Sequence, residues 1–135
     1  MSIRPLSDTF SIGPQITVSD LPTLKAQGFN SLIICRPDGE EGQPSSADIS
    51  AAAAEIGMAT AYAPVVMGES PLDSLAAFEE GMQTLEGPTL GYCKSGMRAA
   101  MLWALSQRGK QSADEILGAT ASAGLDLERL RPALG

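Results

Sequence analysis

The chain has 135 residues, of which 44% are hydrophobic and 19% charged, with a net charge of -7 and no His. This length and apolar content suit one core, so residues 1–135 are predicted to form a single domain. The negative charge disfavours non-specific binding to nucleic acid or anionic lipid, and the lack of His excludes mixed Cys/His metal sites and a Cys–His catalytic pair.

Strands and helices are predicted to alternate along the chain. Polar and apolar residues alternate in the first strand, which ends at Gly13-Pro14 and is expected at a sheet edge. The continuous apolar run at 31–35 is typical of a strand buried on both faces of a parallel sheet. Apolar stripes at helical spacing, with Ser and Gly at the ends, mark the helices. In chain order the elements are a strand at 9–12, a helix ending at Gly28, a strand at 31–35, a helix from Ser45 or Ser46 to Gly57, a strand at 59–66, a helix between Ser70 and Gly87, a strand at 89–92, a helix ending at Gly109, and short helices starting near Ser112 and Asp126.

This order predicts an α/β fold with a mostly parallel central sheet of about four to five strands and helices on its faces. Right-handed crossovers bring the loops that follow parallel strands to one edge of such a sheet. The loops after strands 31–35 and 89–92 are therefore expected to share a crevice.

An anion-binding loop is predicted from Cys93 to Arg98. It lies between a strand and a helical pattern, so successive backbone N–H groups can converge on one point at the helix N-terminus, where they attract anions. This positive end and the two cations of the loop favour the thiolate form of Cys93, whereas the alternative is a buried apolar Cys at a strand end. Cys93 and Arg98 are the predicted catalytic residues. The other predicted anion-binding positions are Lys94, Ser95, Gly96 and Met97.

Five further residues are candidates for accessory roles. Arg36 is expected either to help hold an anion or to pair with an acidic residue of its own loop. Cys35 is either a second thiol that receives or resolves a persulfide, or a small apolar residue that finishes its strand. Asp38, Glu69 and Asp73 are candidate general acids, although Glu69 and Asp73 also suit the N-terminus of the helix that follows them.

The loop resembles those of two enzyme classes. Cysteine-dependent phosphatases place five residues between Cys and Arg, whereas four lie between Cys93 and Arg98. Rhodanese-like sulfurtransferases use a Cys-x-x-Gly-x-Arg loop, which Cys93, Gly96 and Arg98 match.

Most of the chain resembles a small bacterial family with a cysteine-phosphatase-like fold whose members include sulfurtransferases. Some members stand alone, and others are fused to a persulfide dioxygenase in β-lactamase hydrolase-like proteins. Cys35 departs from the family pattern, in which a polar residue such as Asn is expected. The matching segments are 13–17, 36–41, 43–46, 63–65 and 92–98.

The resemblance implies transfer of sulfane sulfur, from thiosulfate or glutathione persulfide to a thiol or cyanide, through a persulfide on Cys93. One alternative is a cysteine-dependent phosphatase of the dual-specificity type, with a phosphocysteine intermediate. Another is a non-catalytic anion-binding or thiol-carrier module. The expected partners are a small anionic sulfur donor, a thiol acceptor and a persulfide dioxygenase, with no nucleic acid, membrane, metal or cofactor.

A cytoplasmic location is expected from the N-terminal region and from hydropathy. Met1 to Pro5 is followed by polar residues rather than an apolar run, and no stretch reaches the roughly 18 apolar residues that span a bilayer. In that compartment the two Cys are expected to remain thiols.

Overall fold

A five-stranded sheet forms the centre of the protein, in a computed structural model that describes residues 2–135. The strands lie in the order β1-β2-β5-β3-β4, and only β1 runs antiparallel to its neighbour. The predicted α/β class with a mostly parallel sheet is therefore confirmed. The strands are β1 (Arg4–Pro5), β2 (Phe10–Gly13), β3 (Ser31–Ile34), β4 (Ala59–Tyr62) and β5 (Thr89–Tyr92).

Helices cover both faces of this sheet. Apolar residues of α1 and α2 pack on one face, and those of α3, α4, α5 and α6 pack on the other. Ser112 and Glu115 form a capping box at the start of α5, where a helix is predicted to begin near Ser112. The helices are α1 (Leu21–Ala26), α2 (Ser46–Glu55), α3 (Leu72–Thr84), α4 (Met97–Ser106), α5 (Ala113–Ser122) and α6 (Arg131–Leu134), with 3-10 turns at Val18–Asp20 and Glu128–Leu130.

The alternation of side chains along β3 and β5 determines which face each thiol reaches. Leu90 and Tyr92 belong to the core on the α1/α2 face, whereas Ile33, Cys35 and Cys93 belong to the core on the opposite face. Because successive residues of a strand point to opposite faces, both thiols project to the side covered by α4.

The first predicted strand is not at the edge of the sheet. Residues 10–13 pair with β5 on one side and with β1 on the other, so β1 is the edge strand. Two residues are too few to give β1 a recognisable alternation, and Pro5 suits an edge because it has no N–H to donate.

The predicted strand at 59–66 is shorter in the structure, ending at Tyr62. Beyond it, the N–H groups of Ala63 and Val65 still donate to the carbonyl groups of Ile34 and Cys35, at 2.9 and 3.0 Å. Pro64 between them has no N–H, so regular pairing stops and the chain turns toward the loop at Cys93.

Candidate active site

The loop after β5 directs a helix amide at the Cys93 sulfur. Gly96 N–H donates to Cys93 Sγ at 3.1 Å, one residue before α4 begins at Met97. Gly96 makes this turn with a φ of 97°, in the left-handed region that side chains with a Cβ disfavour. The predicted arrangement of a thiol at a helix N-terminus is thus present.

The Cys93 side chain is nevertheless covered. The residue is 0% exposed and belongs to the core on the α4 face of the sheet. Its packing is therefore that of a buried apolar Cys at a strand end. Its electrostatic surroundings include the Gly96 amide and the nearby Arg98. Covalent chemistry at this sulfur requires a local displacement of the side chains above it.

Arg98, in the first turn of α4, is 5% exposed and held at two places. Its Nη1 donates to the carbonyl oxygen of Val65 at 2.8 Å and to Glu40 Oε2 at 2.7 Å. Its Nη2 donates to Glu40 Oε1 at 3.1 Å. Hydrogen bonds to Glu40 are the main cause of a raised pKa of Arg98, and the charge of Cys93 contributes to it. The guanidinium is thus rigidly placed near the sulfur.

Arg36 reaches the same carboxylate from the loop after β3. Its Nε donates to Glu40 Oε1 at 2.8 Å, its Nη1 to Gln15 Oε1 at 3.1 Å and its Nη2 to the carbonyl oxygen of Glu41 at 2.8 Å. The ion-pair alternative for Arg36 is therefore the one observed. Hydrogen bonds from Arg98, and then from Arg36, lower the pKa of Glu40 to about 2, against the opposing effect of burial. Glu40 links two buried arginines.

Asp38 does not join this group. Its carboxylate accepts hydrogen bonds from the Ser46 backbone N–H at 2.7 Å and from Ser46 Oγ at 2.6 Å, and its own N–H donates to Tyr62 Oη at 2.9 Å. The bonds from Ser46 lower the pKa of Asp38. The predicted general-acid role of Asp38 is disfavoured, because the carboxylate is committed to the start of α2 and is held ionised.

A cleft of about 350 Å³ adjoins the Cys93 loop. Glu69 lies in its wall, whereas Asp73 is exposed in the first turn of α3 and does not line it. Met97, a predicted anion-binding position, borders the cleft. The lining residues are Val65, Val66, Met67, Gly68, Glu69, Lys94, Ser95, Met97, Arg98, Met101 and Arg129.

Cys35 lies beside the loop on the neighbouring strand. Its N–H donates to the carbonyl oxygen of Tyr92 at 2.8 Å, and its side chain is 0% exposed. Burial raises the pKa of the Cys35 thiol, and the adjacent Cys93 raises it further. This environment favours the interpretation of Cys35 as an apolar residue that finishes its strand.

Arg4, in β1, supports the loop and is not indicated by the sequence. Its Nη2 donates to the carbonyl oxygen of Ser95 at 3.1 Å, and its Nη1 donates to that of Ala123 at 2.7 Å. These contacts join the loop to the end of α5. No local pattern around Arg4 indicates them, because Ser95 is 91 positions away along the chain. The sequence likewise gives no indication that Glu40 pairs with Arg98, that Gln15 contacts Arg36 or that Arg129 lines the cleft.

Within residues 2–135, His, Cys, Asp and Glu side chains form no group of three that could hold a metal ion. In the same range no helix combines the length and the apolar character needed to cross a membrane.

The chain matches a known protein family. Residues 2–110 match the family described as "Beta-lactamase hydrolase-like protein, phosphatase-like domain". The chain belongs to this family. A β-lactamase hydrolase-like protein of Agrobacterium fabrum is 38% identical over 76% of the chain, and the match spans 24% of that relative. The chain thus matches only about a quarter of the length of this curated relative.

Solved structures confirm the fold of this phosphatase-like domain. A protein from Neisseria meningitidis Z2491, whose phosphatase assignment is provisional, is 30% identical with a TM-score of 0.84, over 99% of this chain and 96% of that one. Tk-PTP in its active form is 17% identical with a TM-score of 0.71, over 98% of this chain and 92% of that one. The second likeness shows the fold alone.

These relatives do not support the expected sulfurtransferase and the phosphatase alternative equally. The family and the Neisseria protein carry phosphatase descriptions, so they support the phosphatase alternative better than the expected sulfurtransferase. The phosphatase-like part of the resemblance is confirmed, while the rhodanese-like part rests on the loop sequence alone.

Proposed function

We propose that the protein is a cysteine-dependent phosphatase that hydrolyses small phosphate monoesters through a phosphocysteine on Cys93. The observation that carries the proposal is the junction of β5 and α4, where the Gly96 amide points at the Cys93 sulfur and Arg98 is held beside it by Glu40. Membership of a phosphatase-like family supports the same chemistry.

In the proposed reaction the Cys93 thiolate attacks phosphorus and the ester oxygen leaves. Loop amides and the Arg98 guanidinium stabilise the charge on the non-bridging phosphoryl oxygens. Glu69 protonates the leaving oxygen, since among the three predicted acids it is the one that lines the cleft. Water then attacks the phosphocysteine, releasing inorganic phosphate and restoring the thiolate.

Hydrolysis of p-nitrophenyl phosphate, with trapping of the covalent intermediate, tests this proposal. Cys93→Ser is expected to abolish turnover, and Glu69→Gln to lower kcat by about a hundredfold to ten-thousandfold, the range typical of a lost acid catalyst. Asp73→Asn is the matched control, because Asp73 lies a few residues away but outside the cleft wall. Absence of turnover in the unmodified protein, or full turnover in Cys93→Ser, would contradict the proposal.

Sulfur transfer is the second candidate, favoured by the length of the loop. Four residues between Cys93 and Arg98 enclose a smaller cradle than five, which suits the terminal sulfur of a persulfide better than a phosphoryl group with three oxygens. The thiolate would attack the outer sulfur of thiosulfate, releasing sulfite and leaving a persulfide on Cys93. Cyanide or a thiol would then take that sulfur and restore the thiolate.

Intact mass after incubation with thiosulfate or glutathione persulfide separates the two candidates. Addition of one sulfur at Cys93, without p-nitrophenyl phosphate turnover, would replace the phosphatase proposal by the sulfurtransferase. Binding of an anion with neither reaction would favour the third expectation, a non-catalytic module that docks on a dioxygenase partner.

A further inference from the structure

The cleft beside the Cys93 loop is lined by more cationic than anionic side chains, although the protein as a whole is acidic. Three cations line it, Lys94, Arg98 and Arg129, against one carboxylate, Glu69. Arg98 is paired with Glu40, which it shares with Arg36, but within residues 2–135 neither Lys94 nor Arg129 forms an ion pair. Because the whole chain carries a net charge of -7, unpaired cations in one cleft concentrate anions there rather than over the rest of the surface.

Arg129 is unpaired for a structural reason. The acidic residue beside it, Glu128, is held by Arg131 through two hydrogen bonds of 2.9 and 3.1 Å, and Arg131 also contacts Asp114 at 2.8 Å. Arg129 Nη2 instead donates to Met101 Sδ at 3.5 Å. The guanidinium therefore lies on the wall of the cleft, with its charge available to a ligand.

The surface between the cations is apolar and adaptable. Met67 and Val66 are 69% and 46% exposed, and the partly buried Met97 and Met101 continue the surface from α4. Methionine side chains are flexible and polarizable, so they fit aliphatic or aromatic groups of varied shape. A volume of about 350 Å³ is at the lower end of the range that small organic ligands occupy.

We propose that Arg129 is a specificity-determining residue that binds a second acidic group on the substrate. The substrate class is then a phosphate monoester whose apolar body lies on the methionines and whose far end carries a carboxylate or another phosphate. The inference rests on the proposed function for the reacting group. Arg129 lies outside residues 2–110, which match the family model, so this preference belongs to the C-terminal part of the chain.

A pair of substrates that differ only in charge tests the inference. 4-Carboxyphenyl phosphate and its neutral amide, 4-carbamoylphenyl phosphate, have nearly the same size, and the matching benzylphosphonates bind without reacting. In the unmodified protein we expect kcat/KM and phosphonate affinity to favour the carboxylate by about fivefold, the effect of one ion pair of about 1 kcal/mol. Arg129→Ala should remove the preference, and Arg129→Lys should retain part of it.

Arg108→Ala is the matched control, because Arg108 is an exposed arginine that does not line the cleft, and it should keep the full preference. The preference should also shrink as salt rises to about 0.5 M, since the partners are exposed to solvent. Equal binding of the two phosphonates, binding of neither, or a preference that survives Arg129→Ala would overturn the inference.

The two proposals fail in different ways. Hydrolysis of both esters without a charge preference leaves the phosphatase proposal standing and removes the role of Arg129. Arg129-dependent binding of the carboxylated phosphonate without hydrolysis of either ester removes the phosphatase proposal and leaves the role of Arg129 in binding.

Discussion

Glu40 and Arg98 form a two-point ion pair, with Nη1 to Oε2 at 2.7 Å and Nη2 to Oε1 at 3.1 Å. The pair joins the loop after β3 to the first turn of α4. Arg36 Nε also donates to Glu40 Oε1 at 2.8 Å. A side chain held at both terminal nitrogens and at the Val65 carbonyl has little rotamer freedom left to lose when it binds an anion. Glu40 is thus a positioning residue for Arg98.

Substitution of Glu40 is expected to impair catalysis without touching the reacting atoms. Glu40→Gln replaces a charge-assisted pair by a weaker amide contact, and kcat/KM should fall by about tenfold to a hundredfold, as for a lost hydrogen bond between charged groups. Glu41→Gln is the control, since Arg36 uses only the backbone carbonyl of Glu41. Steady-state kinetics with both variants measure the effect, and equal activities would refute this role.

The same ion pair predicts that the free energy of unfolding decreases at acidic pH. The pKa of Glu40 is about 2 in the folded protein, whereas an unfolded Glu titrates near about 4.3. Because the pKa of Glu40 is lower in the folded than in the unfolded protein, its ionised carboxylate stabilises the fold fully above about pH 4.3. This stabilisation is lost as the pH falls from about 4.3 toward about 2. Urea unfolding from pH 6 downward should therefore show the difference between the unmodified protein and Glu40→Gln shrinking below about pH 4.3. A constant difference would contradict the assignment.

Cys93 and Cys35 should differ in their rate of alkylation and in how their substitution affects activity. Cys93 accepts a hydrogen bond from the Gly96 amide and adjoins Arg98, whereas burial raises the pKa of Cys35. Iodoacetamide followed by peptide mass mapping should label Cys93 first. Cys35→Ala should keep activity and cost about 1 kcal/mol of stability through the small cavity it leaves. Equal, slow labelling of both would remove the case for Cys93 as nucleophile.

Gly96 and Gly118 make a matched pair for testing the loop turn. Gly96 has a φ of 97°, and an added Cβ would lie 3.4 Å from Arg4 Nη2, so Gly96→Ala should cost about 1–2 kcal/mol and lower activity. Gly118 lies inside α5 with open space where a Cβ would be, so Gly118→Ala should stabilise the protein by about 0.5–1 kcal/mol. Thermal unfolding of both variants measures the contrast, and a shift of the same sign in each would contradict it.

Arg4 is expected to matter for activity although it does not line the cleft. It donates to the carbonyl groups of Ser95 and Ala123, so Arg4→Ala should cost about 1–3 kcal/mol and raise KM more than a surface arginine change does. Arg108→Ala supplies that comparison. Unfolding and kinetics measured together test this, and unchanged values in both would refute the role.

Local pattern alone determined the architecture and the turn from Cys93 to Arg98. The apolar run at 31–35, the Ser and Gly residues at helix ends and the order of strands and helices depend on neighbours in sequence, so they predicted the parallel sheet correctly. Cys93, Gly96 and Arg98 lie within six consecutive residues, and their convergence follows from one strand-to-helix turn. Sequence could not exclude Asp38 from the crevice, because its contact with Ser46 depends on how the loop folds.

Tertiary structure decided which side chains serve that loop. Glu40 meets Arg98 across 58 positions, Arg4 meets Ser95 across 91, and Arg129 meets Met101 from the last turns of the chain. Such contacts leave no periodic trace in the sequence, since any exposed charge is locally compatible with many partners. Only packing of the sheet and its two helical layers selects one of them.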